Sequence, residues 1–561
     1  MILPEDKFKE VVVKAGVVAE KDLPELEAYA VTTGRSFDDV LMDRGLVTDE
    51  KLGQIMAGYL KVPFVALSKI QIPEQVFEIV PERLARRQKI IAFARDGAGI
   101  RVAVADPAKT EVVEMLAKKT GSKILVHLAT QQDIFNVLRT YEKDLQKSVD
   151  DLLKEDVWSA RSVLEDPPVA KIVDLLIDTA YQERASDIHI EPEETDSLIR
   201  FRIDGILHDV VTAPKYLHER IITRIKVLSS LRTDEHLSAQ DGKMRMQLQE
   251  EILDIRVSIV PIVAGEKAVL RLLSSRFRDY SFGDLGMNEA DLKKVEGAYT
   301  KSYGMVLSTG PTGSGKTTSI YSVLKVLNTR EKNITTIEDP VEYRIKGANQ
   351  IQVNVKTNLT FANGLRSILR QDPNVIFVGE IRDNETAGIA VNAALTGHLV
   401  LSTLHTNDAA TAIPRLSDMK VEPFLVASTV NIIVAQRLVR RICQQCKQEI
   451  AVEWEEFTKN FPQESLRVVF GSNHKVSAYA GKGCRVCRNT GYSGRVGLFE
   501  VLEITKEIRK LITEKADSEL IAKKAIEEGM RTMLQDGLDK INRGVTTIEE
   551  VLRATKAEFM S

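Results

Sequence analysis

The sequence predicts a multidomain α/β protein, and three features carry the prediction. At 561 residues the chain is too long for one hydrophobic core, at about 100 to 200 residues per domain. From Leu285 onward, the apolar runs in YGMVLSTG, ITTIED, VIFVGE and HLVLSTLH recur at helix-sized intervals, the pattern of a parallel sheet covered by helices. Upstream, SDIHIEP, SLIRFRIDGIL, EILDIRVSIVP and KAVLRLL alternate apolar and polar residues, as strands of a mixed α+β domain do. Hydrophobic residues make up 43% and charged residues 28%, which places the chain among folded globular proteins rather than disordered ones. A net charge of -3 gives no general attraction to nucleic acid or anionic lipid.

Residues 1–60 carry helical apolar spacing interrupted by AGVV and RGLV, the turns between short helices. KFKEVVVKAGVV and SFDDVLMDRGLV align with a glycine at the same place, a degenerate tandem repeat. VPFVAL, KIIAF, IRVAVADP and KILVHLA then predict a small α/β unit over 61–141, closing an N-terminal region of 1–141. Residues 142–166, with eight acidic and four basic residues and Pro167-Pro168 after them, read as a linker or, equally, as an exposed amphipathic helix. The α+β unit is assigned to 167–284, opening with the amphipathic helix VAKIVDLLIDTAYQER. The parallel α/β core is assigned to 285–505, and helices follow over 506–561, where Thr547 is a predicted N-cap.

GPTGSGKT satisfies GxxxxGK[ST], and it follows an apolar strand and opens a helix, the context that gives the motif its meaning. Over Gly310, Pro311, Thr312, Gly313, Ser314 and Gly315 the glycines let the backbone turn its N–H groups, which Pro311 lacks, onto phosphate oxygens. Lys316 is placed to reach the terminal phosphates, Thr317 to ligate Mg2+, and Thr318 continues the helix start. ATP with Mg2+ is therefore the expected ligand pair. VIFVGEIRD has the character of a second phosphate-site strand, but Gly379 stands where a metal-holding aspartate is usual, so Glu380 is the candidate for positioning or deprotonating the attacking water. ITTIEDPVEY brings Glu338, Asp339 and Glu342 to the end of a neighbouring strand, where carboxylates orient water or metal-bound water. His398 and His405 flank the strand of TGHLVLSTLHTNDA, with His405 at the end expected to face the phosphates and His398 open to a structural role.

All four cysteines fall in two CxxC pairs, Cys443 with Cys446 and Cys484 with Cys487. Four thiolates at that spacing suit a closed tetrahedral structural Zn2+ site, assigned to an insertion over 440–490. The spacer is long enough to carry its own helix or hairpin.

Together GPTGSGKT, IEDPVEY, the atypical VGEIRD and TGHLVLSTLHTNDA resemble the ATPases of type II secretion and type IV pilus assembly, whose boxes they match in order from about Val169 to the C-terminus. The resemblance implies a RecA-like P-loop ATPase core, preceded by a mixed α+β (PAS-like) domain and an N-terminal helical plus small α/β region, with a zinc-knuckle insertion. It makes Glu342 and Glu380 the catalytic acidic pair and has His398 and His405 couple nucleotide state to conformation. It implies a homohexamer that grips ATP between the two domains. Arg200, Arg202, Arg256 and Arg271, on strands of the α+β unit, would then offer positive charge to the phosphates across a subunit boundary. The tetracysteine insertion resembles that of assembly-type members. It points to pilus extension through an inner-membrane platform protein, with type II secretion as the alternative, and to a membrane-associated docking protein for the N-terminal region.

Some members of that family bind cyclic di-GMP through an N-terminal repeat beginning RLG and ending in Gln. Here those positions read Ser36-Phe37-Asp38 and Tyr59, and Lys7-Phe8-Lys9 in the first copy, which disfavours the ligand. MILPEDKFKE offers no apolar signal core and no run reaches the ~18 residues of a membrane span, so a cytoplasmic chain without a transmembrane segment is expected. A nucleic-acid motor is the main rival, but aromatic residues are only 6%, and neither a basic cluster nor a run of stacking residues accompanies them.

Overall fold

A computed structural model describes residues 3–555 apart from 25, 28–35, 44–45, 48, 71, 109, 139–144, 160–167, 249–251, 275–281, 453, 472–476 and 485–486. Gly45 of the second repeat copy, part of the 142–166 segment and Pro167 lie outside the described residues. In the repeat, the equivalent residues Phe8 and Phe37 meet edge to face with ring centroids 6.3 Å apart, and Val12 and Leu41 are fully buried around them. Behind these helices β1 (Ile90–Asp96), β2 (Gly99–Val104) and β3 (Ile124–Leu128) form a three-stranded sheet, antiparallel between β1 and β2 and parallel between β2 and β3. An α/β unit of its own core results.

Of the two readings of the charged segment, linker or exposed amphipathic helix, the structure has a helix over Leu145–Ser159, docked rather than fully exposed. Leu145 and Val149, four residues apart on one face, are buried in the core of the following unit, and fully burying one such side chain contributes about 1.5–3 kcal/mol. Gln146 accepts from the Thr212 N–H at 2.8 Å and donates to the Thr212 carbonyl at 3.1 Å, covering a strand edge. The low count of large apolar residues in this segment concealed a stripe that needs only a few of them.

β4 (Asp187–Pro192), β5 (Asp196–Ile203), β6 (Ile206–Pro214), β7 (Gln240–Gln247), β8 (Ile252–Ile262) and β9 (Gly265–Leu273) build an antiparallel sheet in the order β6-β5-β4-β9-β8-β7. Its apolar face is covered by the helices Val169–Gln182 and Lys215–Leu228.

β10 (Gly304–Thr309), β11 (Ile334–Glu338), β12 (Ala348–Gln352), β13 (Val375–Val378), β14 (Leu399–Leu404) and β15 (Val430–Ile442) are parallel. β16 (Lys447–Ile450) pairs with β17 (Ala478–Gly481), and β18 (Tyr492–Glu503) returns antiparallel to β15. The large sheet runs β12-β11-β13-β14-β10-β15-β18. β10, β11, β13 and β14 are buried along their whole lengths, as strands with helices on both faces must be. The 37-residue spacer between the CxxC pairs, expected to carry a helix or a hairpin, carries both, the β16–β17 hairpin and the helices Trp454–Asn460 and Gln463–Phe470. Phe457, Phe461 and Leu466 of these helices share a small core with Leu534, Leu538, Ile541 and Val551 of the C-terminal helices. At the start of the last helix, Thr547 Oγ1 accepts from the Glu550 N–H at 3.4 Å. Among the described residues no helix is long and apolar enough to cross a membrane.

Candidate functional site

Four chain segments arrive at the carboxyl ends of neighbouring strands, where an open parallel sheet presents its ligand crevice. The glycine-rich loop follows β10, the acidic segment follows β11, Gly379-Glu380 follows β13 and His405 follows β14. Gly313 and Gly315 adopt φ of 79° and 90°, conformations that a side chain disfavours, and the helix Lys316–Leu327 starts directly after them. Lys316 is buried, with Nζ donating to the carbonyls of Gly310 at 2.7 Å and Pro311 at 3.1 Å. Burial pushes its pKa below the ordinary lysine value, and the Glu380 carboxylate pulls the other way. Thr317 stands in the first turn of that helix.

The glycine in place of the usual aspartate stands close against the backbone of the neighbouring strand. A Cβ at Gly379 would lie 3.2 Å from the Glu338 Cα and 3.3 Å from the Ile337 carbonyl oxygen, because the Gly379 N–H donates to Ile337 at 2.8 Å and draws β11 close. Glu380 takes up position one residue later. Its carboxylate accepts from Arg382 at 2.7 Å and lies 3.1 Å from His405 Nε2. Sequence reasoning passed over Arg382, although its place two residues after Glu380 was the available signal. Asp383, which ends the same motif, caps the helix Asn384–Leu395 by accepting from the Thr386 N–H at 2.8 Å.

Glu338 does not face the crevice. It is 2% exposed, and its carboxylate accepts from Thr336 Oγ1 at 2.6 Å, Gln350 Nε2 at 3.2 Å and the Tyr321 hydroxyl. Burial raises its pKa and that of Tyr321. This strand-end carboxylate is held by its neighbours beneath the acidic segment, a correction to its expected place at the crevice beside the cofactor's water and metal. Asp339 follows it, and Glu342 reaches the surface where Arg256 of β8 meets it at 3.1 Å. Their contact lines a cleft of about 650 Å3 that also includes Lys243, Tyr343 and Gln352.

Of the four arginines, only Arg256 reaches this chain's own acidic segment. Arg200 pairs with Glu191 at 2.5 Å, while Arg202 and Arg271 flank Asp187 at 3.4 and 3.0 Å, because β5 and β9 place them opposite β4 in register. His398 is likewise not brought to the phosphate loop. It precedes β14 at the amino end of the sheet, with Nδ1 3.0 Å from the Ala393 carbonyl, whereas His405 leaves the opposite end. Thr309 and Thr406, also missed, tie the two crevice loops together. The Thr406 N–H donates to Thr309 Oγ1 at 2.9 Å, and the two hydroxyls lie 2.7 Å apart.

Cys443, Cys446, Cys484 and Cys487 are free thiols whose sulfurs all lie within 4.8 Å of one another. The Cys443–Cys484, Cys446–Cys487 and Cys484–Cys487 separations are 3.8, 3.8 and 3.7 Å. A tetrahedron with metal–sulfur bonds of about 2.3 Å has edges of about 3.8 Å, so the donor set fits Zn2+. The N–H groups of Cys484 and Gly491 donate to Cys487 Sγ, both at 3.2 Å, which suits a thiolate ligand.

Residues 162–553 match the family model of the type II/IV secretion system protein, and residues 60–147 match the MshEN domain. The chain is 36% identical to the type IV pilus assembly ATPase PilB of Myxococcus xanthus over 98% of its own length and 99% of that protein. It is 41% identical to the type II secretion system protein E of Dickeya dadantii over 86% of its length and 97% of that protein. The structure of the Legionella pneumophila ATPase DotB superposes with a TM-score of 0.51 at 20% identity, covering 71% of this chain and 98% of that one, a likeness of fold. With the family model matched over more than half of its residues and relatives aligned along nearly its whole length, this chain belongs to the type II/IV secretion system protein family.

Proposed function

We propose that the protein hydrolyses ATP to power type IV pilus assembly, as a homohexameric ring working on an inner-membrane platform protein from the cytoplasmic side. The observation that carries the proposal is the convergence of the glycine-rich loop, Glu380 and His405 at the carboxyl ends of adjacent strands. In this reading the loop N–H groups, the helix N-terminus and Lys316 hold the phosphates, and the Thr317 hydroxyl is the protein's ligand to Mg2+, which neutralises phosphate charge when bound. Glu380, steadied by Arg382 and His405, orients and deprotonates the attacking water, and Glu342 supports it. Arg256 acts within the chain, while Arg200, Arg202 and Arg271 are offered to the site of a neighbouring subunit, where a positive charge stabilises the transferred phosphoryl group. His398 serves as a structural hydrogen-bonder. The finer fold assignments belong to the same reading, with 285–505 as the RecA-like core and 167–284 as a PAS-like domain, and the tetracysteine cluster holds a structural Zn2+.

Type II secretion is the second reading, favoured by the 41% identity to the Dickeya protein against 36% to the Myxococcus one. Alignment length does not separate the two, since the type II secretion system protein E of Xanthomonas campestris is likewise 36% identical over 98% of this chain. Cyclic di-GMP is left out of the proposal despite the MshEN match, since Ser36, Asp38 and Tyr59 replace the arginine, glycine and glutamine of the repeat motif. The deciding experiment measures hydrolysis by the purified protein with the cytosolic part of the platform protein and, separately, with single-stranded DNA. Stimulation by the platform protein alone supports the proposal, and stimulation by DNA alone defeats it.

A further inference from the structure

Gln436 of β15 lies outside every motif discussed so far, and it is 1% exposed beneath the phosphate loop. Its side-chain Nε2 donates to the Ser314 carbonyl at 2.8 Å. Its Oε1 accepts from Ser319 Oγ in the helix after the loop at 2.7 Å and lies 3.5 Å from Ser308 Oγ in the strand before it. One amide therefore touches the strand, the loop and the helix of the nucleotide-binding turn.

The planarity of the peptide unit gives the Ser314 contact its importance. In a trans peptide the carbonyl and the following N–H point in opposite directions. Fixing the Ser314 carbonyl toward β15 therefore turns the Gly315 N–H toward the concave side of the loop, where an anion is bound. The glycines at both ends of the loop accommodate the same residue. A Cβ at Gly310 would lie 2.4 Å from the Gln436 carbonyl oxygen, and one at Gly315 would lie 3.1 Å from Gln436 Nε2.

We propose that Gln436 is a positioning residue for ATP binding, holding the Ser314–Gly315 peptide in the orientation that presents its N–H to phosphate. The proposal deepens the ATPase reading and rests on it. A glutamine supplies what the place requires, a donor for one carbonyl and an acceptor for two hydroxyls, at a length that spans from β15 to the loop. Glutamate keeps the shape and the acceptors but sets an oxygen against the Ser314 carbonyl, while methionine keeps the length and removes both functions.

The test compares wild type, Gln436→Met and Gln436→Glu in steady-state ATP hydrolysis, with the thermal midpoint recorded without nucleotide. The expected result is a KM for ATP raised about 10-fold, with kcat within about 3-fold, since one oriented hydrogen bond to the ligand's cradle is worth about that factor. A KM unchanged in both variants, or a loss confined to kcat or to the thermal midpoint, overturns the assignment. If neither variant folds, Gln436 serves the core and the assignment also fails. Wild-type protein without hydrolysis sinks the ATPase reading itself, a result distinct from an active wild type with unaffected variants.

Discussion

Arg256 extends from the antiparallel sheet to the acidic segment of the parallel one, placing a guanidinium nitrogen 3.1 Å from the Glu342 carboxylate and another 2.5 Å from the Val341 carbonyl oxygen. The arginine is mostly buried, and its five-donor fork meets a carboxylate and a carbonyl at once, a geometry that lysine cannot reproduce. Arg256→Ala is expected to lower kcat about 10-fold while leaving the KM for ATP within about 3-fold, on the scale of one charge-assisted hydrogen bond. Arg256→Lys should recover only part of the loss. Steady-state kinetics of the two variants check this, and a full recovery by lysine would assign the contact to charge alone.

Glu380 and His405 form a pair that a double-mutant cycle can separate. Glu380→Gln keeps the side-chain volume and should reduce kcat by about 10²–10³-fold with nucleotide binding retained, the range for loss of a general base. His405→Ala should cost less, about 10-fold, because Arg382 still holds the carboxylate. Single-turnover hydrolysis with a fluorescent-nucleotide binding assay distinguishes loss of chemistry from loss of ligand. Additive losses in the double variant would contradict a shared role.

The tetracysteine cluster predicts one Zn2+ per chain by elemental analysis. Cys443→Ser should abolish stoichiometric metal and expose the shared core of Phe457, Leu538 and Val551 to proteolysis, since a structural site contributes about 10–16 kcal/mol to folding. Limited proteolysis with mass mapping reads the local opening. Wild-type resistance in the metal-free variant would show that the apolar core suffices.

Glu500 of β18 gives a pH-dependent prediction. It is wholly buried, and burial, with Asp408 nearby, pushes its pKa up from the ordinary 4.5 to about 7, although the Ala409 N–H donates to it at 2.9 Å. The folded state therefore holds this proton more tightly than the unfolded chain, so the stability it contributes is full below about pH 4.5 and is lost as pH rises through about 7. Glu500→Gln retains an acceptor for Ala409 and cannot ionise. The variant should gain stability relative to wild type across that interval, by about 3 kcal/mol at most, as read from denaturant unfolding at pH 5, 6, 7 and 8. A difference that stays constant with pH would remove Glu500 as the cause.

Much of the site was legible because its chemistry is written in contiguous motifs. GPTGSGKT specified the loop, and each motif ended a strand whose apolar run marked it. The four cysteines were equally plain, since no other cysteines compete for the metal. What the sequence concealed depends on spatial neighbours. Glu338 looks like Glu342 on the page, yet Tyr321, Thr336 and Gln350 enclose one and solvent reaches the other. Arg202 and Arg271 looked free until β4 set Asp187 between them. His398 and His405 differ only in which end of β14 they occupy, a distinction that strand direction decides. The docking of the helix over Leu145–Ser159, though not the helix itself, was hidden by its charge, because a stripe of few apolar residues is enough to seat it.

β15 continues from Gln436 to Ile442, and Cys443 follows at once. Over this stretch it is paired with β18 alone, since its pairing with β10 ends at Ala435, and the register with β18 shifts between Arg440 and Ile442. The cysteine cluster is thus tethered to the fuel pocket by a ribbon of two strands rather than by the body of the sheet, and the slip in register just before the knuckle is the give at which a tug on it is taken up.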